Sequence, residues 1–99
     1  MIVITERAKE ELKKIIDKRV DYPGACLRLT TSDRGNFSLK IDTEVPGDRI
    51  VKHEGLLVLL VGRKLDDGLK EHTLAFENDE FIIAKGPLSG FNKSTVTLD

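Results

Sequence analysis

The stretch Leu27–Ile41 leaves this chain the least freedom. Leu27, Leu29 and then Phe37, Leu39 and Ile41 alternate with polar residues, the two-residue period of strands that bury one face. Between the two arms lies Ser32-Asp33-Arg34-Gly35-Asn36, a polar run in which Gly35 or Asn36 takes the positive φ of a tight turn. Two alternating arms around such a turn make a hairpin. A hairpin alone is marginal in water, so the rest of the chain has to cover its apolar face.

The first cover is a helix. Ile2-Val3-Ile4 is β-prone and stops at Thr5, whose hydroxyl suits an N-cap, while Glu6 suits the positive end of a helix. Ala8, Leu12, Ile15, Ile16 and Val20 then recur at helical spacing and form one apolar stripe. Glu10 and Lys14 are spaced as an i,i+4 ion pair, and Lys14 and Lys18 place positive charge toward the C-terminal end. Pro23 and Gly24 end the helix within Asp21-Tyr22-Pro23-Gly24. Lys13, Lys14, Lys18 and Arg19 read as a solvated face balanced by Glu6, Glu10, Glu11 and Asp17, in preference to a phosphate site.

The remainder is β-rich. Glu44-Val45-Pro46-Gly47-Asp48 is a turn, Arg49–His53 a short strand closed by Glu54-Gly55, and Leu56–Val61 a strand with no polar face, hence one buried on both sides. Arg63–Lys70 is too short and too charged for a core helix and gives a helical turn or two ending at Gly68. Thr73–Glu77 and Glu80–Ala84 flank the turn signal Asn78-Asp79. The tail from Gly86-Pro87 to Asp99 has β-propensity but little apolar mass. The fold class expected is α+β: an amphipathic N-terminal helix packed on a small, mostly antiparallel, twisted β-structure, in one domain over residues 1–99.

Composition narrows the function classes. With four Phe, one Tyr and no Trp among 99 residues, the core has to be built from Leu, Ile and Val. A net charge of −1 gives no general attraction to nucleic acid or to an anionic membrane. The longest apolar run, Leu56–Val61, is far short of the roughly 20 residues that span a bilayer. Neither a basic leader nor a long apolar run follows Met1, so a cytoplasmic protein is expected. Cys26 is the one cysteine, which excludes an internal disulfide.

Taken in order, the chain resembles the HesB/IscA family of A-type iron–sulfur carrier proteins. Ile-Val-Ile-Thr-Glu-Arg-Ala leading into a Lys-rich helix is similar to that family's start. Leu27-Arg28-Leu29 matches its first central strand, and Thr31-Ser32 with Gly35 matches the frame of its ligand loop. Leu56–Val61 followed by Leu65 and Leu69 resembles its buried strand and short helix, and Gly90-Phe91 its Gly-Phe near the end. Family members that carry a cluster use three cysteines, one in the hairpin loop and two in a Cys-Gly-Cys. By the resemblance, Asp33 stands where the first belongs, and Asn92-Lys93-Ser94-Thr95 follows Gly90-Phe91. Clusters are held chiefly by thiolates, so the resemblance implies the fold without its cofactor.

The expectation is therefore a non-enzymatic HesB/IscA-like domain that has lost its cluster-binding cysteines and serves as a protein-interaction module. A second copy is one possible partner, and Asp33, Arg34, Gly35 and Asn36 form the candidate binding loop. The alternative is residual iron or zinc handling, in which a dimer pools Cys26, Asp33 and the histidines. His53 and His72 have no metal-ligand spacing and read as exposed strand-end residues. Cys26, beside Leu27, reads as a small core residue. Acid–base work by Asp33 with His53 rests on residue type alone. Ser32, Ser38, Ser89 and Ser94 lack a nucleophile elbow, and Gly86–Gly90 does not follow the phosphate-loop pattern.

Overall fold

In a computed structural model of the chain, which describes residues 1–21, 24–85 and 93–98, the N-terminal helix begins where its cap predicts. The Thr5 hydroxyl accepts from the Ala8 N–H at 3.1 Å, and α1 runs Glu6–Arg19, with Val20 as C-cap. Ala8 and Leu12 are buried, and Ile15 and Ile16 pack against the core. The ion pairs differ from the expected one. Lys14 reaches Glu11 at 2.8 Å instead of Glu10, and Arg7 lies 3.4 Å from Glu11 and 3.8 Å from Glu10. The i,i+3 partner sits as close on the helix surface as the i,i+4 one, so spacing alone does not choose between them. Tyr22 and Pro23, which share the predicted helix stop, lie outside the described residues.

Eight strands follow the sequence signals: β1 (Val3–Ile4), β2 (Ala25–Thr31), β3 (Phe37–Thr43), β4 (Arg49–His53), β5 (Leu56–Val61), β6 (His72–Glu77), β7 (Glu80–Lys85) and β8 (Lys93–Leu98), with α2 at Arg63–Gly68 between β5 and β6. They form one sheet in the order β1-β6-β7-β8-β3-β2-β5-β4. Four ladders are antiparallel (β2–β3, β4–β5, β6–β7, β7–β8) and three parallel (β1–β6, β2–β5, β3–β8), so the α+β fold is carried by a mixed sheet. The turn at Asn78-Asp79 holds both residues at positive φ, 53° and 63°, the conformation of a two-residue hairpin.

The helix α1 packs against β2, β4, β5 and β6, and the side chains beneath it make one core. Leu27, Leu29, Leu39, Leu59, Val61, Leu74, Phe81 and Ile83 meet Ile2, Leu12 and Val58 there. It is an aliphatic core, as the shortage of aromatics requires. Phe76 and Phe81 pack edge to face at 4.9 Å between centroids, and Arg7 of α1 lies 5.5 Å above Phe76, which ties the helix to β6. In β5, Val58–Val61 are buried on both sides as expected, but Leu56 is half exposed at the strand's outer end. The weakly apolar tail is held mainly by its backbone. In β8 only Val96 is buried, yet the strand is laddered on both edges, to β3 and β7.

The two end strands approach each other. Arg49 of β4 donates from Nη1 to the Ile2 carbonyl and, at 3.1 Å, to the carboxylate of Asp66, whose same oxygen accepts the Ile2 N–H at 3.0 Å. A sheet whose first and last strands are bridged by one side chain is curled nearly into a barrel. Asp66 is 5% exposed, so the charged segment Arg63–Lys70 supplies a core residue after all. Its burial is offset by the two hydrogen bonds that its carboxylate accepts, one of them from a guanidinium. No helix among the described residues is long and apolar enough to cross a membrane.

Candidate functional site

The predicted binding loop forms the tip of the β2–β3 hairpin, whose arms pair from Ala25↔Thr43 to Thr31↔Phe37. The tip closes on itself. The Ser32 N–H donates to the Asn36 carbonyl at 2.8 Å, and the Gly35 N–H to the Ser32 carbonyl at 2.9 Å. The Ser32 hydroxyl accepts from the N–H groups of both Arg34 and Asn36, each at 3.3 Å. Gly35 takes the left-handed conformation, φ 78°, and Asn36 does not. With the backbone satisfied, the side chains of Asp33, Arg34 and Asn36 are left to solvent, and neither Asp33 nor Arg34 has an ion-pair partner among the described residues. Such a tip can dock against a partially charged surface by hydrogen bonds.

A buried clamp fixes the hairpin's base. The Arg28 Nε donates to Asp42 at 2.7 Å, Nη1 and Nη2 grip Asp48 at 2.8 and 2.6 Å, and Nη2 also reaches the Thr43 carbonyl at 3.2 Å. This joins β2, β3 and the turn before β4 through one planar guanidinium. The Asp48 carboxyl is held below the usual range, first by Arg28 and then by the Val45 N–H. That of Asp42 is lowered first by the Thr43 N–H and then by Arg28. The clamp went unread in the sequence, where Arg28 is simply the polar residue between two leucines. The spacing offers one faint signal. Arg28 pairs with Lys40 in register, and Asp42, two residues on, is its diagonal neighbour.

The other candidate residues are dispersed. Cys26 is fully buried, and burial pushes its thiol up to about 11 despite the nearby Arg28 charge. It lies five strand residues before Thr31, hence about 17 Å from the tip at roughly 3.3 Å per residue. His53 and His72 do end their strands, but the expectation that both are exposed is corrected. His53 is 9% exposed, covered by the start of α1, with Nδ1 3.6 Å from Glu6 and Nε2 3.1 Å from Glu54. His72 is part-buried, and its Nδ1 is enclosed without a hydrogen-bond partner. Both ring nitrogens of His53 face Glu6 and Glu54, and neither faces Asp33. No group of three or more His, Cys, Asp or Glu side chains among the described residues is arranged to hold a metal ion. Gly86–Gly90, Ser89 and Gly90-Phe91 lie outside the described residues.

The thiolate ligands by which an iron–sulfur cluster is chiefly held are not gathered at the tip. The loop presents a solvated carboxylate, and the one thiol is buried, hard to ionise and a strand's length away.

No protein-family model matches the sequence, and no curated protein matches it significantly. Solved structures do resemble the fold. Escherichia coli SufA, a protein involved in the biosynthesis of iron–sulfur clusters, superposes with a TM-score of 0.67 over 85% of this chain and 84% of its own, at 19% identity. IscA, solved with a 2Fe–2S cluster, superposes with a TM-score of 0.54 over 86% and 85%, at 14% identity. At such identities the likeness is one of architecture, and it establishes that this chain has the HesB/IscA-like fold.

Proposed function

We propose that this protein is a non-enzymatic HesB/IscA-like domain that keeps the architecture of iron–sulfur biosynthesis proteins without their cluster chemistry. It acts as a protein-interaction module through the tip residues Asp33, Arg34, Gly35 and Asn36, with a second copy of the chain among its possible partners. The observation that supports this reading is the position of Cys26. A cluster needs several soft ligands at one place, and here one thiol lies buried at the far end of the hairpin from the solvated tip. Anaerobic reconstitution of the purified chain with ferrous iron and sulfide tests it. The expected outcome is a colourless protein with no charge-transfer absorbance in the visible. A brown protein holding iron and inorganic sulfide in fixed proportion overturns the reading.

The alternative of iron or zinc bound by a dimer that pools Cys26, Asp33 and histidine draws no support from the geometry, since Cys26 and His53 are both buried within one chain. Stoichiometric metal retained after chelation and lost in Cys26→Ser is the result that would restore it.

A further inference from the structure

The curl of the sheet leaves a seam that no backbone ladder closes. β1 and β4 stand at opposite ends of the strand order. Followed through the seven ladders, their directions agree, so they face each other as two parallel edges. At one end Arg49 and Asp66 bridge them by side chains. Beyond the bridge is a cleft of about 390 Å³ between the two strands and α1, with Ile4, Lys9, Val51 and Lys52 in its lining.

The ladder fixes which backbone groups face this cleft. The Thr5 N–H donates to the Leu74 carbonyl, so Val3 and Thr5 are the residues whose backbone turns toward β6. Ile2 and Ile4, of opposite parity, turn theirs toward the seam. Ile2 confirms the parity, because its N–H and carbonyl go to Asp66 and Arg49. Ile4, one strand repeat further on, directs its pair into the cleft.

Charge and apolar surface say what fits. Every ionisable side chain lining the cleft among the described residues is positive: Lys9, Arg49 and Lys52. Asp66 holds Arg49, and Glu6 holds Lys9 at 3.2 Å on the exposed side, whereas Lys52 has no ion-pair partner among the described residues. On the outer face Val3 and Ile50 are 56% and 39% exposed, one on each edge. An open edge is a template for another strand, and charges at its border select which strand.

We propose that the seam is a docking site for an extended acidic segment of a partner protein, inserted as a strand between β1 and β4. Its backbone pairs with the outward groups of Ile4 and with the free edge of β4. Its outward side chains alternate between an apolar residue against Val3 and Ile50 and a carboxylate against Lys52 and Lys9. The register irregularity between Val51 and Lys52 confines the ladder to a short stretch, so the lysines supply much of the affinity. This site is separate from the hairpin tip, and it stands whatever the outcome of cluster reconstitution.

Fluorescence anisotropy of the full chain with three labelled hexapeptides tests it: Glu-Val-Val-Ile-Glu-Val, whose first, third and fifth side chains share one face of a strand, its lysine counterpart, and the acidic peptide N-methylated at alternate backbone nitrogens. The acidic peptide is expected to bind saturably, the lysine peptide not at all, and N-methylation to weaken binding by about tenfold or more. Lys52→Glu, at an exposed position that leaves the melting temperature unchanged, is expected to weaken it by a similar factor. Amide shifts on binding should appear at Ile4 and Ile50–Lys52 and be absent at Gly35. Four results overturn the proposal: no saturation at about 1 mM peptide, equal binding of the acidic and lysine peptides, insensitivity to N-methylation, or sedimentation as a dimer that Lys52→Glu dissolves. The last would assign the seam to a second copy of this chain.

Discussion

Replacing Asp66 by Ala tests the account of how the barrel is closed. The side chain is 5% exposed, and one of its oxygens accepts both the Ile2 N–H at 3.0 Å and Arg49 at 3.1 Å. The variant leaves the Ile2 N–H without a partner at a residue that is fully buried. An orphaned buried donor costs about 1–3 kcal/mol. Arg49 is different. Its side chain is 27% exposed and keeps the Ile2 carbonyl, so it turns to water and adds only about 0–1 kcal/mol. The sum is about 1–4 kcal/mol, against a total of roughly 5–15 kcal/mol for a domain of this kind. At about 4–8 °C per kcal/mol for a domain of this size, the melting temperature should fall by about 4–32 °C.

Asp66→Asn separates the two contributions, since the amide oxygen can still take the Ile2 N–H while the charge is gone. It should cost about 1 kcal/mol. Asp67→Ala, one residue on and exposed, should stay within about 0.5 kcal/mol of the wild type. Urea denaturation of the three variants is the assay, with Arg49→Met added to close a double-mutant cycle expected to show about 1 kcal/mol of coupling. The reasoning fails if Asp66→Ala changes stability by less than about 1 kcal/mol. It also fails if the Asn variant is as damaged as the Ala variant, because then charge rather than the orphaned donor would be decisive.

Three further outcomes follow from the hairpin. Asp42 and Asp48 titrate below their ordinary value of 3.8 in the folded chain, so their stabilisation is present above that value and is lost as pH falls through the lowered ones. Arg28→Met should lower stability by about 3 kcal/mol near neutrality, and should flatten its decline between about pH 5 and pH 2 in urea titrations. The Cys26 thiol, fully buried and raised to about 11, should react with a disulfide reagent at pH 8 only as the fold opens, and at once in denaturant. Gly35→Ala places a Cβ at φ 78° and should cost about 1–2 kcal/mol by thermal melting, whereas Asp33→Ala should leave stability within about 0.5 kcal/mol.

What could be read from the sequence is what repeats locally. The stripe Ala8, Leu12, Ile15 and Ile16 and the alternation Leu27, Leu29, Leu39, Ile41 carry their period in a few neighbouring residues, and α1 and the β2–β3 hairpin came out where that period lies. The same is true of the tip, because a glycine at a turn declares its φ. Asp66 could not be read this way. Its partner Ile2 is 64 positions away, and in Arg63–Lys70 it is one charge among several. His53 stands at a strand end beside Glu54, and nothing local in the sequence shows that it is buried. The cover is Glu6 at the start of α1, brought over by the curl of the sheet. The parallel pairing of β3 with β8 has no local signature either, since only topology sets two distant strands side by side.

The separation of core from tip makes the fold independent of the side chains that the tip presents. The packed side chains lie beneath α1, while the hairpin projects a loop whose hydrogen bonds are internal to Ser32–Asn36. Between them, Arg28 grips Asp42 and Asp48 and fixes the hairpin's base independently of what its tip presents. A change at Asp33 therefore removes no contact on which the core depends, and chemistry at the tip is free to change at little cost in stability. The same logic makes the opposite demand at the seam. There buried Asp66 and the buried Ile2 backbone are joined through part-buried Arg49, so a substitution that alters binding without unfolding the chain has to be made at the exposed rim, at Lys52 or Ile50, and not at the bridge itself.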